Sequence, residues 1–301
     1  MFDFLAEFGV QAKALLHKFV FKIVPLLNPD GVDRGYWRND TQGLNLNRMY
    51  VDPDPVLHPT IYAVKAAIIH EYRKQRLHIY TDLHGHTTKR GCFVFGNTLG
   101  TKKAQIQQIL LPKLLSLNCV NFDLHECNFD DATNNKKDRK GDSRANSGRA
   151  TIFRETNSGD VPYCFTLEGN YATGLRINTL EPRYDREEGK QVLREDHPVQ
   201  DTSSAFYNRS DRKIPIYGSE VYRDVGQAFL ISILDLHAIN PLSRLVSSAS
   251  EKQKNALTRI RKELKKEYFK PPAKPAKGKK GCSAAKAFAL QQMPMTKRGK
   301  T

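Results

Sequence analysis

The chain has 301 residues and a mass of 34.2 kDa, with 39% hydrophobic and 27% charged residues. That apolar content can bury a sizeable core, which excludes a wholly disordered chain or a disulfide-stapled mini-protein and leaves one large α/β domain or two small ones. The net charge is +16, but residues 251–301 hold 16 Lys and Arg against 3 acids, so the other 250 residues carry 32 basic and 29 acidic groups and are nearly neutral. A neutral body argues against nucleic acid binding by the fold and leaves that role, or microtubule binding, to the basic tail.

The apolar rhythm over residues 3–17 predicts a helix. The segment FVFKIVPLL that follows is dense in β-branched and aromatic residues and predicts a buried strand, stopped by the turn formers Asn28-Pro29-Asp30-Gly31. A polar loop follows to residue 50. Thr60 is placed to cap a helix with Ile61, Val64, Ile68 and Tyr72 on one face. LHIYTDLHGH and FVFGN read as strands, 103–117 as a helix, and 129–149 as a long exposed loop. YCFTLEGNY predicts another strand, 175–215 a surface loop, and 219–238 a helix stopped at Asn240-Pro241. Beyond 245, Ser250 would cap a basic amphipathic helix with Leu257, Ile260 and Leu264 on one face, followed by a disordered Lys- and Pro-rich tail. There are no internal repeats. The alternation predicts an α/β sheet domain with helices on both faces over residues 1–244, and a separate basic segment over 245–301.

Five cysteines (Cys92, Cys119, Cys127, Cys164, Cys282) with no CxxC spacing read as reduced thiols of a cytosolic or nuclear protein. The first residues carry Asp3 and Glu7 where a secretory signal has positive charge, and Lys22 and Pro25 break the most apolar stretch, so a soluble intracellular chain is expected.

Polar residues stand out of place where strands end. Asp82, His84 and His86 alternate and would share one face; Glu168 closes the apolar run YCFTLE; Arg38, Asn47 and Arg48 lie in the loop after the turn, and two guanidiniums suit a carboxylate or phosphate. Each has a plain structural reading as well: an ion pair, a loop contact, a second-row histidine. No GxxxxGK[ST], GxGxxG or GxSxG occurs, which lowers nucleotide-binding and serine-hydrolase readings. Spacing alone therefore leads to an α/β hydrolase or transferase.

The ordered strings FKIVPLLNPDGVDRGYWRNDTQGLNLNR, DLHGHTTKRGCFVFGN, SGR and FTLEGNY resemble the cytosolic carboxypeptidases, a branch of the zinc carboxypeptidases related to carboxypeptidase A, and most of all the subtype that removes branch-point glutamates from tubulin. The resemblance spans residues 18–240. It implies a mixed-sheet α/β/α zinc-carboxypeptidase-like domain, incomplete at its N-terminus, with one active-site zinc. It implies His84 as a zinc ligand, Glu168 as the base acting on water, Arg38 as the cation at the scissile carbonyl, and Asn47 and Arg48 as the grip on a terminal carboxylate. Arg149 of SGR, in a basic loop with Lys136, Lys137, Arg139, Lys140 and Arg144, is the further substrate-binding candidate. The implied substrates are polyglutamylated or acidic C-terminal tails such as those of tubulin, met in the cytoplasm, with nuclear or microtubule-associated pools also compatible.

The family's other two zinc ligands come from a His-x-x-Glu motif upstream of the turn. None of the nine histidines here has Glu three residues later, and Phe153 stands where a substrate-contacting Tyr is usual. The chain therefore reads either as a fragment of a longer enzyme or as a truncated relative that binds acidic tails without cleaving them.

Overall fold

The computed structural model describes residues 1–7, 9–134, 136–137, 141–156, 163–192 and 216–269. Arg139, Lys140, Cys282, most of the expected 175–215 loop and the tail beyond 269 lie outside the described residues.

The expected opening helix is two helices, α1 (Phe2–Ala6) and α2 (Val10–Lys18), with Gly9 at ψ 165° as the N-cap of the second. The strand expected at FVFKIVPLL does not form. Residues 19–27 have no ladder partner among the described residues, and Val20 stays 87% exposed. β-branched side chains favour extended backbone, yet a strand exists only by pairing with a neighbour. The segment is tied to a helix instead, by a Lys22–Glu71 ion pair of 2.7 Å and by the Thr60 hydroxyl donating to the Leu27 carbonyl at 2.8 Å. The turn formers open the short α3 (Pro29–Asp33), where Asn28 Oδ1 accepts from the Gly31 N–H. Thr60 is not a cap: α4 (Pro59–Arg73) begins earlier, with Pro59 in its first turn.

The central sheet has the order β1-β3-β2, with β1 (Ile79–His86) parallel to β3 (Tyr163–Asn170) and β2 (Cys92–Phe95) antiparallel to it. Helix α5 (Lys102–Asn118) is capped by Thr101, whose Oγ accepts from the Ala104 N–H. The stretch expected as one exposed loop holds α6 (Asp131–Asn134) and leads into α7 (Gly148–Glu155), most of it buried. Helices α8 (Ser219–Leu236) and α9 (Gln253–Tyr268) complete the layers. Side chains of β3 split by parity: Tyr163, Phe165 and Leu167 join the main core with α5, α8 and α9, while Cys164 meets Ile152 and Phe153 of α7 and Ile68 and Tyr72 of α4. Helices thus cover both faces of a mixed sheet, as expected. A second small sheet orders β4 (Arg183–Asp185), β5 (Lys190–Val192) and β6 (Leu242–Ser243) as β5-β4-β6.

The boundary expected at 244/245 does not divide the structure. Ala256, Leu257, Ile260 and Leu264 of α9 are at most 5% exposed and belong to the main core. Ser250 also lies short of the cap, which falls at Lys252. Cys92, Cys119, Cys127 and Cys164 are free and buried.

Candidate active site

Parallel pairing of β1 with β3 places His84 opposite Glu168. Partners across a ladder project to the same face, so the two side chains stand together at the carboxyl ends of adjacent parallel strands, where α/β sheets bind ligands. The intervening Leu83 is 59% exposed on the other face, which bears out the alternation expected for Asp82, His84 and His86. His86 nevertheless leaves the group. Its ring packs edge-on to Phe93 at 5.5 Å, and its Nδ1 accepts from the Lys89 N–H.

His84 Nε2 lies 2.8 Å from Asp82 Oδ2 and 3.3 Å from Asn47 Nδ2. Burial works against its positive charge, but the Asp82 carboxylate beside it and Glu168 outweigh that and lift the imidazole to about 9. Glu168 is 7% exposed, and its Oε2 has no hydrogen-bond partner. Burial raises its carboxyl to about 7, with Asp82 adding to the rise and His84, Arg38 and Lys89 opposing it. A carboxyl so poised, with one oxygen open, is equipped to take up and return a proton near neutrality.

The loop that carries Arg38, Asn47 and Arg48 has little regular structure and is fixed by its own side chains. Asn28 Nδ2 donates to the Asn39 carbonyl, Asp40 Oδ1 accepts from the N–H groups of Gln42 and Leu44, and Asn45 Oδ1 accepts from the Asn47 N–H. Asn47 Oδ1 accepts from the Gly148 N–H at 2.9 Å, which turns Nδ2 toward His84. Arg48 is buried and donates to the Asn47 carbonyl at 2.8 Å. Arg38 is exposed at the rim, and its charge acts on both His84 and Glu168.

Arg149 sits elsewhere than on a basic loop surface. It is 3% exposed inside α7, donates to the Gly96 carbonyl at 2.6 Å and bonds to Asn97 Oδ1. Its guanidinium is occupied in holding α7 to the turn after β2. Lys136, Lys137 and Arg144 lie in the 136–144 segment, and Lys137 forms an isolated bridge with Ser143.

Phe153 is 6% exposed in the small core beside Cys164 and does not reach the rim. A phenol does reach it: Tyr171 is 54% exposed, meets Trp37 edge-on at 6.4 Å and covers Gly85, where an added Cβ would fall 2.2 Å from its ring. Tyr171 and Lys89 are site neighbours that the sequence did not single out, whereas Asp82 stood out there with His84 and His86. Tyr171 directly follows the strand that ends in Glu168 and Asn170, and that adjacency was the available signal.

The zinc implied by the resemblance is not matched by these side chains alone. Among the described residues no three His, Cys, Asp or Glu groups converge to hold a metal, whereas a catalytic zinc takes about three protein ligands. His84 offers one imidazole.

No family model matches the chain. The chain is 30% identical over 337 aligned residues to cytosolic carboxypeptidase-like protein 5 of Ailuropoda melanoleuca, covering 83% of this chain and 36% of that protein, and equally identical to the Homo sapiens protein of the same name. It is 28% identical to cytosolic carboxypeptidase 6 of Homo sapiens, covering 90% of this chain and 45% of that protein. The metallo-carboxypeptidase of Burkholderia cenocepacia superimposes with a TM-score of 0.53 at 20% identity, over 78% of this chain and half of that one. The chain thus spans about a third of the length of these first relatives and has a metallo-carboxypeptidase fold. By these likenesses it is a homologue of the cytosolic carboxypeptidases.

Proposed function

We propose that the chain carries part of a metallocarboxypeptidase-type active site that removes glutamates from acidic C-terminal or branched protein tails, with tubulin tails as the reference substrate and the cytoplasm as the setting. The observation that carries this is the in-register pair His84 and Glu168, with Asn47 within 3.3 Å of His84. In this reading Asn47 and Arg48 hold the free carboxylate of the substrate, since a guanidinium fork matches a carboxylate in both charge and geometry. Glu168 takes a proton from the attacking water and returns it to the leaving amine. Arg38 offsets the negative charge that develops on the scissile oxygen. Any zinc in this site needs ligands besides His84 from outside the described residues.

A second reading is favoured by the missing ligand cluster: the same groups bind acidic tails without turnover. Purified protein is tested for zinc content by mass spectrometry and for glutamate release from polyglutamylated peptides. The enzyme reading expects about one zinc per chain and release that Glu168→Gln abolishes. Metal-free protein that binds the peptide yet releases nothing leaves only the binding reading.

A further inference from the structure

Helix α9 divides its residues sharply. At about 100° per residue, Ala256, Leu257, Ile260 and Leu264 form the buried arc. Lys254, Lys262, Lys265 and Lys266 fall within an arc of about 120° facing away from it. All four are exposed and make no ion pair among the described residues. Glu263 lies on the flank beside that arc, and Glu267 falls on the side of the buried arc, exposed near the end of the helix. The two arginines are already engaged, Arg259 with Glu251 at 2.9 Å and Arg261 with Gln107 at 3.4 Å. A shallow groove runs along this face, lined by Asn255, Thr258, Arg259, Lys262, Glu263 and Lys266, so one carboxylate stands among three cations there. Just past the end of α9, Lys102 of α5 lies 5.7 Å from the Phe269 ring.

We propose that this strip is a docking surface for an acidic polypeptide, separate from the active site. Four hydrated point charges in a line suit a run of carboxylates. They lack the free guanidinium forks and exposed aromatic platforms by which proteins grip phosphates and stack bases. From Lys254 to Lys266 the helix rises about 18 Å, which an extended chain spans with about six residues. The strip therefore takes a run of six or more acidic residues and reads charge density, with no side-chain pocket for a particular sequence. It rests on the proposed function only in sharing the acidic class of partner.

The test uses the full chain and a fluorescent peptide of eight glutamates, acetylated and amidated so that no free terminal carboxylate can enter the active site. Binding is measured by anisotropy at low and physiological salt, beside a DNA duplex of equal charge. Lys254, Lys262, Lys265 and Lys266 are changed together to Glu; all are exposed, so an unchanged melting curve confirms folding. The expected result is a loss of peptide affinity of about tenfold or more, the expected scale for reversing four exposed charges, with a four-glutamate peptide binding much more weakly than the eight. Equal affinity of the reversed protein, or tighter binding of DNA than of peptide, overturns the proposal. Glu168→Gln should leave this binding unchanged, so failure of hydrolysis and failure of docking are read separately.

Discussion

Two buried arginines share a residue type and differ in what surrounds them. Arg48 donates to the carbonyl of Asn47, whose side-chain amide lies 3.3 Å from His84, and its guanidinium is the one proposed above to grip a substrate carboxylate. Arg149 is spent on the Gly96 carbonyl and Asn97, and burial lowers it to about 10 despite the nearby Asp131. Arg149→Ala removes these buried charge-assisted hydrogen bonds and is expected to destabilise the protein by about 2–4 kcal/mol, with binding of acidic peptides unchanged once folded. Denaturant midpoints and peptide affinity together check this; a large affinity loss at unchanged stability would return Arg149 to the site. Arg48→Ala should do the opposite, weakening binding of peptides with a free terminal carboxylate by about tenfold or more, the scale of a charge-assisted pair, and leaving amidated peptides unaffected. Gly85→Ala is expected to push Tyr171 off the rim, because its Cβ would meet the ring. A change in Trp37 fluorescence with little change in melting temperature reports that displacement.

At the scale of elements, the junction of β1 with the end of α8 holds a second pair of histidines. His78 Nε2 and His237 Nε2 are 2.8 Å apart, with the ring of Phe19 against both. One imidazole donates and the other accepts, so the accepting ring is neutral, and burial disfavours charge on both. Burial lowers His78, and burial followed by the charges of His78 and Lys18 lowers His237 to about 4. A lowered folded-state value means the unfolded chain binds protons more readily. The pair therefore stabilises the fold above the ordinary histidine value of 6.5, and this contribution is lost as pH falls from there toward about 4. Discounted for solvent screening of these half-buried rings, the loss is expected on the order of 2 kcal/mol, read as a falling denaturation midpoint over that window and flattened in the double variant His78→Gln, His237→Gln. Other elements were unevenly legible. Strands β1 and β3 were readable because their apolar runs end in polar residues of fixed parity. Residues 19–27 carry an equally strong β signal and form no ladder, since pairing depends on a neighbour that local composition does not reveal. Helix α7 went unread because GRATIFRE shows little apolar periodicity, and its burial comes from contact with the sheet and α4.

Across the whole molecule, the basic charge and the core meet in α9. The sequence marks the segment after 244 as a different kind of chain, yet its apolar stripe closes the same core as α5 and α8. Leu264 is fully buried there, and Leu264→Ala is expected to cost about 2–5 kcal/mol. Thermal unfolding of that variant checks the point; an unchanged melting temperature would mean the helix is an independent appendage. The net charge divides in the same way, with a nearly neutral body and positive charge gathered on one helix face and in the residues after it.

The sequence by itself determined the α/β class, the polar residues at strand ends, the kinship carried by several ordered motifs and the location of the positive charge. These are local or one-dimensional properties: periodicity, spacing, order and count. Tertiary structure alone decided that Arg149 anchors α7, that His86 turns to Phe93, that Tyr171 covers Gly85, and that α9 belongs to the core. It also decided that His84 and Glu168 stand side by side, although 84 positions separate them in the chain. Each of these depends on which surfaces meet across the fold, and burial and charge pairing act between neighbours in space whatever their distance along the chain.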